Sequence, residues 1–207
     1  MKLTVPAVRR WLCVAAVCAG GLLGGCVGTR ARVPMGPAPV PAVAWEQRMP
    51  ALQQLGAWAV VGRAAAAVGG QGWQASLNWR QNGPNSEVHL AGPLGVGASI
   101  LRLTPDGLSI DGAPPNAAAL ALLQERLGFE LPLAELRYWL LGVPDPTGDY
   151  GLARNPQDRA QQLTQAGWTI DIDRYLPAGG DWLPGHLVLE RGGVRVRIAV
   201  DHWDGLR

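Results

Sequence analysis

Apolar and polar residues alternate with a period of two along most of the chain beyond residue 56, which indicates β-strands with one buried face. Residues 73–80 and 168–174 show the alternation clearly. Residues 187–191 and 194–200 show it again, with a Gly-Gly pair between them that is a strong hairpin signal. Repeated over the chain, the pattern predicts roughly nine to eleven short antiparallel strands.

The period changes to that of a helix in the middle of the chain. Asn116 can cap a helix over residues 117–127, which Gly128 ends, and a second helix is predicted over residues 133–141. Both segments carry a stripe of leucines that must cover an apolar surface. The expected fold is therefore mainly β with inserted helices (α+β), an unclosed antiparallel half-barrel with a lid of two or three helices.

The first predicted strands are rich in alanine and glycine, so a curved sheet there would leave space under the helical lid. A completely filled core is the alternative, and composition does not decide between the two. Strand parity and the helix stripe give ten candidates for the lining of an apolar cavity: Trp73, Leu77, Trp79, Leu101, Leu103, Leu136, Trp139, Leu140, Trp168 and Ile170.

The N-terminus has the pattern of an export signal. Basic residues precede an apolar run over residues 11–23, which is short for a membrane span. The run closes with Leu-Gly-Gly before Cys26, which resembles the lipobox of bacterial lipoproteins. The resemblance implies that residues 1–25 are a signal peptide and that Cys26 is diacylated on sulfur and acylated on its amine. An ordinary secretory signal with an incidental cysteine is the alternative.

Residues 26–50 contain five prolines and no periodicity, so we expect a tether between Cys26 and a folded domain over residues 51–207. The other two cysteines lie within residues 1–25, so the processed chain cannot form an intramolecular disulfide. Val27 stands where an aspartate would retain a lipoprotein in the inner membrane of enteric bacteria, which favours the outer membrane.

Charge and composition narrow the possible partners. Removing residues 1–25 takes away Lys2, Arg9 and Arg10 and no acid, so 15 of the 18 basic residues remain against 16 acidic ones, a net charge of −1. A nucleic-acid partner is therefore not expected. Hydrophobic residues make up 48% of the chain and charged residues 16%, and the excess must enter a core, a cavity or an exposed patch.

Catalytic patterns are weak. His89, His186 and His202 are far apart in sequence, and no Gly-x-Ser-x-Gly motif is present. Asp171 and Asp173 share a strand face, but a solvated polar face explains them better than a carboxylate pair. We expect neither an enzyme nor a bound metal or cofactor.

The predicted turn over residues 92–97 is unusual because its sizeable side chain is apolar. Leu94 lies there between Pro93 and Gly95, where a polar residue would serve a turn equally well. Leu94 either folds back onto the core or is held out in solvent, and periodicity leaves both possibilities open.

Several segments together resemble the LolB family of lipoproteins, namely residues 77–83, 90–95, 101–103, 128–144 and 187–203. The resemblance implies a monomer, lipid-anchored in the outer membrane and facing the periplasm. It also implies three partners: the periplasmic carrier LolA, lipoprotein cargo whose acyl chains enter an apolar cavity, and the outer-membrane bilayer. Leu94 matches an exposed leucine that the family needs for delivery.

Two other functions remain open on the sequence. An envelope sensor of the same fold would bind lipid or peptide without passing it on. A lipid hydrolase would need a catalytic constellation, which the motif search does not supply.

Overall fold

The computed structural model describes residues 44–95 and 97–207, without the side chains of Leu94 and Ala117. The predicted signal peptide, Cys26 and most of the predicted tether therefore lie outside the described residues. The described residues belong to one compact unit, Val40–Arg207. None of their helices has the length and apolar character needed to cross a bilayer.

Ten strands form one sheet in which all neighbours are antiparallel. Its order is β5-β4-β3-β2-β1-β10-β9-β8-β7-β6. The strands are β1 (Ala57–Val68), β2 (Gln71–Asn82), β3 (Asn85–Ala91), β4 (Ser99–Thr104), β5 (Gly107–Ile110), β6 (Tyr150–Arg154), β7 (Ala160–Gln165), β8 (Trp168–Ala178), β9 (Asp181–Arg191) and β10 (Val194–Asp204). The edge strands β5 and β6 do not pair with each other, so the sheet is unclosed and the predicted fold class is confirmed.

Three α-helices accompany the sheet: α1 (Trp45–Gln53), α2 (Ala117–Leu127) and α3 (Leu133–Leu140). Helices α2 and α3 lie in the connection between the two edge strands, as the change of period predicts. The Asn116 side chain accepts a hydrogen bond from the Ala119 amide (3.0 Å), and Gly128 ends α2 in a left-handed conformation with φ of 79°.

Helix α1 corrects the predicted boundary between tether and domain, because residues 45–50 belong to the folded part. Trp45 and Leu52 are buried against the sheet. Arg48 is also buried, and its Nε lies 2.9 Å from the Asp181 carboxylate at the start of β9. Asp181 is 133 residues away from Arg48 in the sequence. A nine-residue helix that contains a proline depends on such contacts, which local periodicity does not reveal.

Strands β8 and β9 extend beyond the predicted residues 168–174 and 187–191. They continue to a Gly-Gly turn, with Pro177 opposite Trp182 and Pro184 opposite Tyr175. The register shifts between Ile172 and Tyr175, which is consistent with the irregular pairing that lets proline stand in a sheet.

The sheet has two faces and two ends that matter for function. The inner face carries the buried side chains, and the outer face carries the exposed ones. The loop end contains the β3–β4 connection (residues 92–98) and the β1–β2 and β9–β10 turns. The far end contains the β2–β3 and β8–β9 turns, and α1 docks there through Asp181.

Candidate functional site

An apolar cavity lies between the inner face and the segment that leads into α3. Its volume is about 40 Å³. Every described side chain that lines it is apolar: Ala64, Trp73, Leu77, Trp79, Val88, Leu90, Leu101, Phe129, Leu131, Leu133, Leu136, Val196 and Ile198. Residues from five strands thus converge because strand parity directs alternate side chains of β1–β4 and β10 to one face, and α3 and the segment before it complete the lining.

The cavity leads towards solvent at the loop end. An open pocket of about 300 Å³ shares Trp73, Leu90 and Leu101 with the cavity. Leu123 and Leu127 of α2 form another wall of this pocket. The pocket therefore adjoins the cavity; we call it the mouth, and α2 stands beside it.

The mouth and the cavity differ in size by a wide margin. Pockets that hold small ligands measure about 300–1,000 Å³, which the mouth reaches and the enclosed cavity does not. An acyl chain can enter the enclosed part only if the side chains or the helices around it move apart.

The structure places five of the ten predicted lining residues around the cavity and five elsewhere. Trp73, Leu77, Trp79, Leu101 and Leu136 line the cavity. Leu103 is half-buried against the core but does not line it.

The other four predicted residues, Trp139, Leu140, Trp168 and Ile170, lie in a closely packed part of the core. Trp139 donates a hydrogen bond to the Gln165 side chain (2.9 Å), and its ring lies 6.5 Å from that of Trp168. Strand parity and the helix stripe assigned these residues to the correct faces, but α3 packs too closely on β7–β9 to leave space there.

Sequence reasoning missed eight lining residues. Val88 lies opposite Trp79 and Leu101 in the strand registers, and Val196 and Ile198 continue a strict alternation, so parity could have found them. Phe129 and Leu131 lie between α2 and α3, where no periodicity points to the cavity. The remaining three are Ala64, Leu90 and Leu133.

Trp73 carries a polar atom at the border between cavity and mouth. Its Nε1 is buried and has no hydrogen-bond acceptor among the described residues. A buried donor without an acceptor costs about 1–3 kcal/mol.

The loop next to the mouth forms a short 3₁₀ helix, Pro93–Gly95. The Gly95 amide donates to the Gly92 carbonyl (2.9 Å), and Gly95 and Gly97 have φ of 79° and 68°. Glycine suits both positions because positive φ strains other residues. The Leu94 side chain and Val96 are outside the described residues, so the membrane contact at Leu94 stays a prediction, like lipidation at Cys26.

Two carboxylates tie together the elements around the mouth. Asp111 accepts a hydrogen bond from the Ile100 amide (2.8 Å) and contacts Arg126 of α2 (3.4 Å). These contacts, the amide first, hold the pKa of Asp111 below its ordinary value. Glu87 lies 2.8 Å from both His89 and Arg102, and these hydrogen bonds, His89 first, lower its pKa.

The histidines do not converge on a site. Each of the three pairs with a different carboxylate: His89 with Glu87, His186 with Asp173, and His202 with Asp204. The Asp171 carboxylate accepts a hydrogen bond from Gln162 (2.8 Å). Within the described residues, no group of three or more potential metal ligands is present.

Comparison with known proteins agrees with this geometry. The family model described as "Outer membrane lipoprotein LolB" matches residues 56–203. A curated relative named outer-membrane lipoprotein LolB, from Nitrosococcus oceani, is 34% identical, covering 88% of this chain and 92% of its own length. The Pseudomonas aeruginosa protein of the same name is 30% identical over 88% of this chain and 90% of its own.

Among solved structures, a LolA superfamily protein from Nitrosomonas europaea has the same fold, with a TM-score of 0.50 and 13% identity. The match covers 80% of this chain and 94% of that protein. The fold, the apolar inner face and the match over most of the sheet lead to one conclusion: the chain belongs to the LolB family of outer membrane lipoproteins.

Proposed function

We propose that this protein receives lipoproteins from the periplasmic carrier LolA and inserts them into the outer membrane. The observation that carries the proposal is the wholly apolar cavity that leads to an open mouth on the inner face. Membership of a family of outer membrane lipoproteins supports it.

The energetics require an apolar host for the cargo. Each buried methylene of an acyl chain contributes about 0.8 kcal/mol, so a tail left in water would cost on the order of ten kcal/mol. Transfer without a nucleotide is possible if each acceptor binds the cargo slightly better than the last. In this proposal the cavity is small when it is empty and widens as cargo enters.

Helix α2 is the element best suited to move. Leu120 and Leu122 are exposed on it, whereas Ala119 and Leu123 are the only buried residues among its described side chains. Moving α2 outward would therefore expose little additional apolar surface. We assign α2 the role of a hinged wall beside the mouth and α3 that of a fixed cover.

In this proposal Cys26 anchors the protein by its acyl groups, and Leu94 touches the bilayer during delivery. Inserting one leucine side chain contributes about 1.5–3 kcal/mol, enough for a reversible contact and too little for an anchor. Pro93 and the two glycines of the loop restrict and shape the turn that presents it.

The decisive experiment mixes LolA loaded with lipoprotein with a non-acylated form of this protein and follows the cargo. We expect the cargo to move from carrier to receptor, and then to liposomes when these are added. Cargo that stays on the carrier would contradict the receptor role. Cargo that moves but never leaves for liposomes would favour an envelope sensor, and ester hydrolysis would revive the hydrolase.

The loop is tested separately with Leu94→Glu, because a carboxylate opposes entry into the bilayer. We expect cargo binding and thermal unfolding to stay close to the unsubstituted protein while delivery to liposomes falls about tenfold or more, as loss of at least 1.4 kcal/mol implies. Leu94→Ile should deliver normally, and Asn85→Glu at the far end should also be neutral. Normal delivery by Leu94→Glu would contradict the assigned role.

A further inference from the structure

The outer face carries a second concave surface, on the opposite side of the sheet from the apolar cavity. It is a groove of about 680 Å³ between strands β9, β10, β1, β2 and β3 and the β3–β4 loop. Pro93 and Gly95 form its wall on the loop side. Ala65, Ala91 and Ala199 form its floor. We call it the outer groove.

The charge of the outer groove has one sign. Arg63 and Arg197 line it, together with His186, whose ring pairs with the Asp173 carboxylate at 2.8 Å outside the lining. No acidic residue is among the described lining residues. Arg63 reaches Asp201 at 3.1 Å, but both side chains are largely exposed, and such surface pairs are weak. Arg197 forms no ion pair with a described residue. The groove therefore presents positive charge that its own surroundings leave incompletely balanced.

The strand registers bring the two arginines close together. Arg63 lies opposite Ala199, and Ala65 lies opposite Arg197, so the arginines are diagonal neighbours on one face of β1 and β10. Diagonal side chains on a sheet start about 7–8 Å apart, within reach of one shared ligand. In this structure Arg63 turns towards Asp201, on the side away from Arg197, so a shared anion would draw Arg63 out of that weak pair. The planar forks of both guanidinium groups match phosphate oxygens.

A β-bulge next to Arg63 adds to this arrangement. The register of β1 and β10 shifts between Val61 and Gly62, beside Asp201. At Gly62 an added Cβ would lie 2.2 Å from the Ala199 carbonyl oxygen, so the close approach requires glycine. Bulges redirect neighbouring side chains, and this one turns the strand where the arginine enters the groove.

Strand stability does not explain the alanines of the floor, which lie on the outer face of the sheet. Alanine is disfavoured in strands relative to β-branched and aromatic residues. Small side chains here leave a trough with an apolar base and a basic rim. That chemistry suits an amphiphile whose head is an anion and whose attached part is apolar.

We propose that the outer groove binds the phosphodiester headgroup of an anionic phospholipid at the membrane surface. The loop that forms the groove wall is the one assigned to touch the bilayer, so a headgroup beside an inserted loop would lie level with the groove. Only the orientation of the loop towards the bilayer rests on the proposed function. It requires neither the carrier nor the cargo.

The test uses residues 27–207, exported without an acyl anchor, which include the whole compact unit Val40–Arg207. Flotation measures binding to vesicles of phosphatidylcholine alone and of phosphatidylcholine with phosphatidylglycerol. We expect binding to the anionic vesicles only. Equal binding to both vesicle types would overturn the proposal.

Charge variants separate a site from general attraction. Arg63→Gln and Arg197→Gln should each weaken vesicle binding by more than the roughly fivefold that one basic residue contributes near an anionic surface. Arg80→Gln is the matched control, because Arg80 is exposed on the outer face of β2 but does not line the groove. If all three variants weaken binding equally, the groove is not a site.

A neutral variant tests the trough itself. Ala199→Leu keeps every charge but fills the floor, and its binding should fall as far as that of the arginine variants while its unfolding temperature stays within a few degrees. Retained binding by Ala199→Leu would show that the arginines act at long range and overturn the proposal.

Competition identifies the source of the phosphate. Inorganic phosphate should release the protein from anionic vesicles no better than sodium chloride of the same ionic strength, because the apolar floor favours a lipid. Selective release by phosphate would instead assign the groove to a free anion and contradict a membrane site. Because this assay contains no cargo, its outcome is independent of the transfer experiment.

Discussion

The inner face of the sheet has two halves that differ in how tightly their side chains are packed. In the packed half, on β7–β9 under α3, Leu163, Ile170, Leu187, Leu189 and Trp139 are all 0% exposed. In the cavity half, on β2–β4 beside α2, Trp73, Leu90 and Leu103 are only partly buried. Both halves have the same alternation in sequence, so the difference comes from the helix that covers each one.

The comparison indicates how one sheet can be both stable and open. Helix α3 buries Leu133, Leu136, Tyr138, Trp139 and Leu140. Trp139 packs on the packed half, whereas Leu133 and Leu136 line the cavity. Helix α2 covers its side loosely and leaves leucines in solvent. Stability can therefore be concentrated in one half while the other half changes shape around a ligand.

The largest predicted effect separates the two halves by stability. Leu189→Ala should lower the free energy of unfolding by about 3–5 kcal/mol, because a fully packed site cannot collapse around the lost atoms. Leu90→Ala should cost about 1–2 kcal/mol, because its side chain is half-buried beside an existing cavity. Urea unfolding followed by tryptophan fluorescence measures both, and equal losses would remove the distinction between the halves.

The next effect tests the cavity by filling it. Val88→Phe should cost about 1–3 kcal/mol of stability, because a larger side chain must displace its neighbours. It should weaken binding of a fluorescent fatty acid about tenfold or more, a loss of 1.4 kcal/mol or above. Val88→Ile, which adds one methylene, is the control that should bind almost normally. Undiminished binding by Val88→Phe would place the acyl chain elsewhere.

A smaller effect concerns the looseness of α2. Asn116→Ala removes the cap on the Ala119 amide and should cost about 1 kcal/mol. We expect the loss in α2 alone, seen by hydrogen exchange as faster exchange over residues 117–127 and unchanged exchange in β7–β9. Asn116→Asp should restore protection. Faster exchange throughout the sheet would mean that α2 is not an independent unit.

The smallest effect is a pH dependence confined to the cavity half. The pKa values of Glu87 and Asp111 lie below their ordinary values of 4.5 and 3.8, so their contribution is complete above those values. It is lost as the pH falls through their lowered pKa values. Because the Glu87 and Asp111 side chains are 32% and 45% exposed and solvent screens their ion pairs, we expect only a few tenths of a kcal/mol.

Unfolding of Glu87→Gln/Asp111→Asn as a function of pH checks this expectation. The double variant should lose part of the acid destabilisation that the unsubstituted protein shows below about pH 4.5. An identical pH profile for the double variant and the unsubstituted protein would exclude a role for these two carboxylates.

Local patterns predict the sheet and the central helices well because their signals are local. The Gly192–Gly193 turn, the alternation on either side of it and the Asn116 cap each lie within a few residues of the structure that they specify. Helix α1 had no such signal, because Arg48 acquires its partners at Asp181 and Trp182 only after the chain has folded.

The candidate site was predictable only in part, for a related reason. Strand parity predicts that Trp79 and Ile170 share the inner face, but it does not predict which helix packs above each of them. The cavity residue Phe129 and the packed residue Leu140 differ by tertiary placement alone. The outer groove was missed because its arginines and alanines become neighbours through the pairing of β1 with β10, at opposite ends of the domain sequence.

The docking of α1 at the far end sets the distance that the tether must span if the loop is to face the membrane. Trp45 donates its amide to Asp158 there, whereas the loop at Pro93 lies at the opposite end of strands up to 12 residues long. A strand of that length spans about 40 Å. Residues 27–43, fully extended, reach at most about 60 Å. If Cys26 is lipidated as proposed, the tether is thus long enough for the domain to turn its loop towards the membrane. Removing half of the tether would leave a reach of about 30 Å, which is too short to do so.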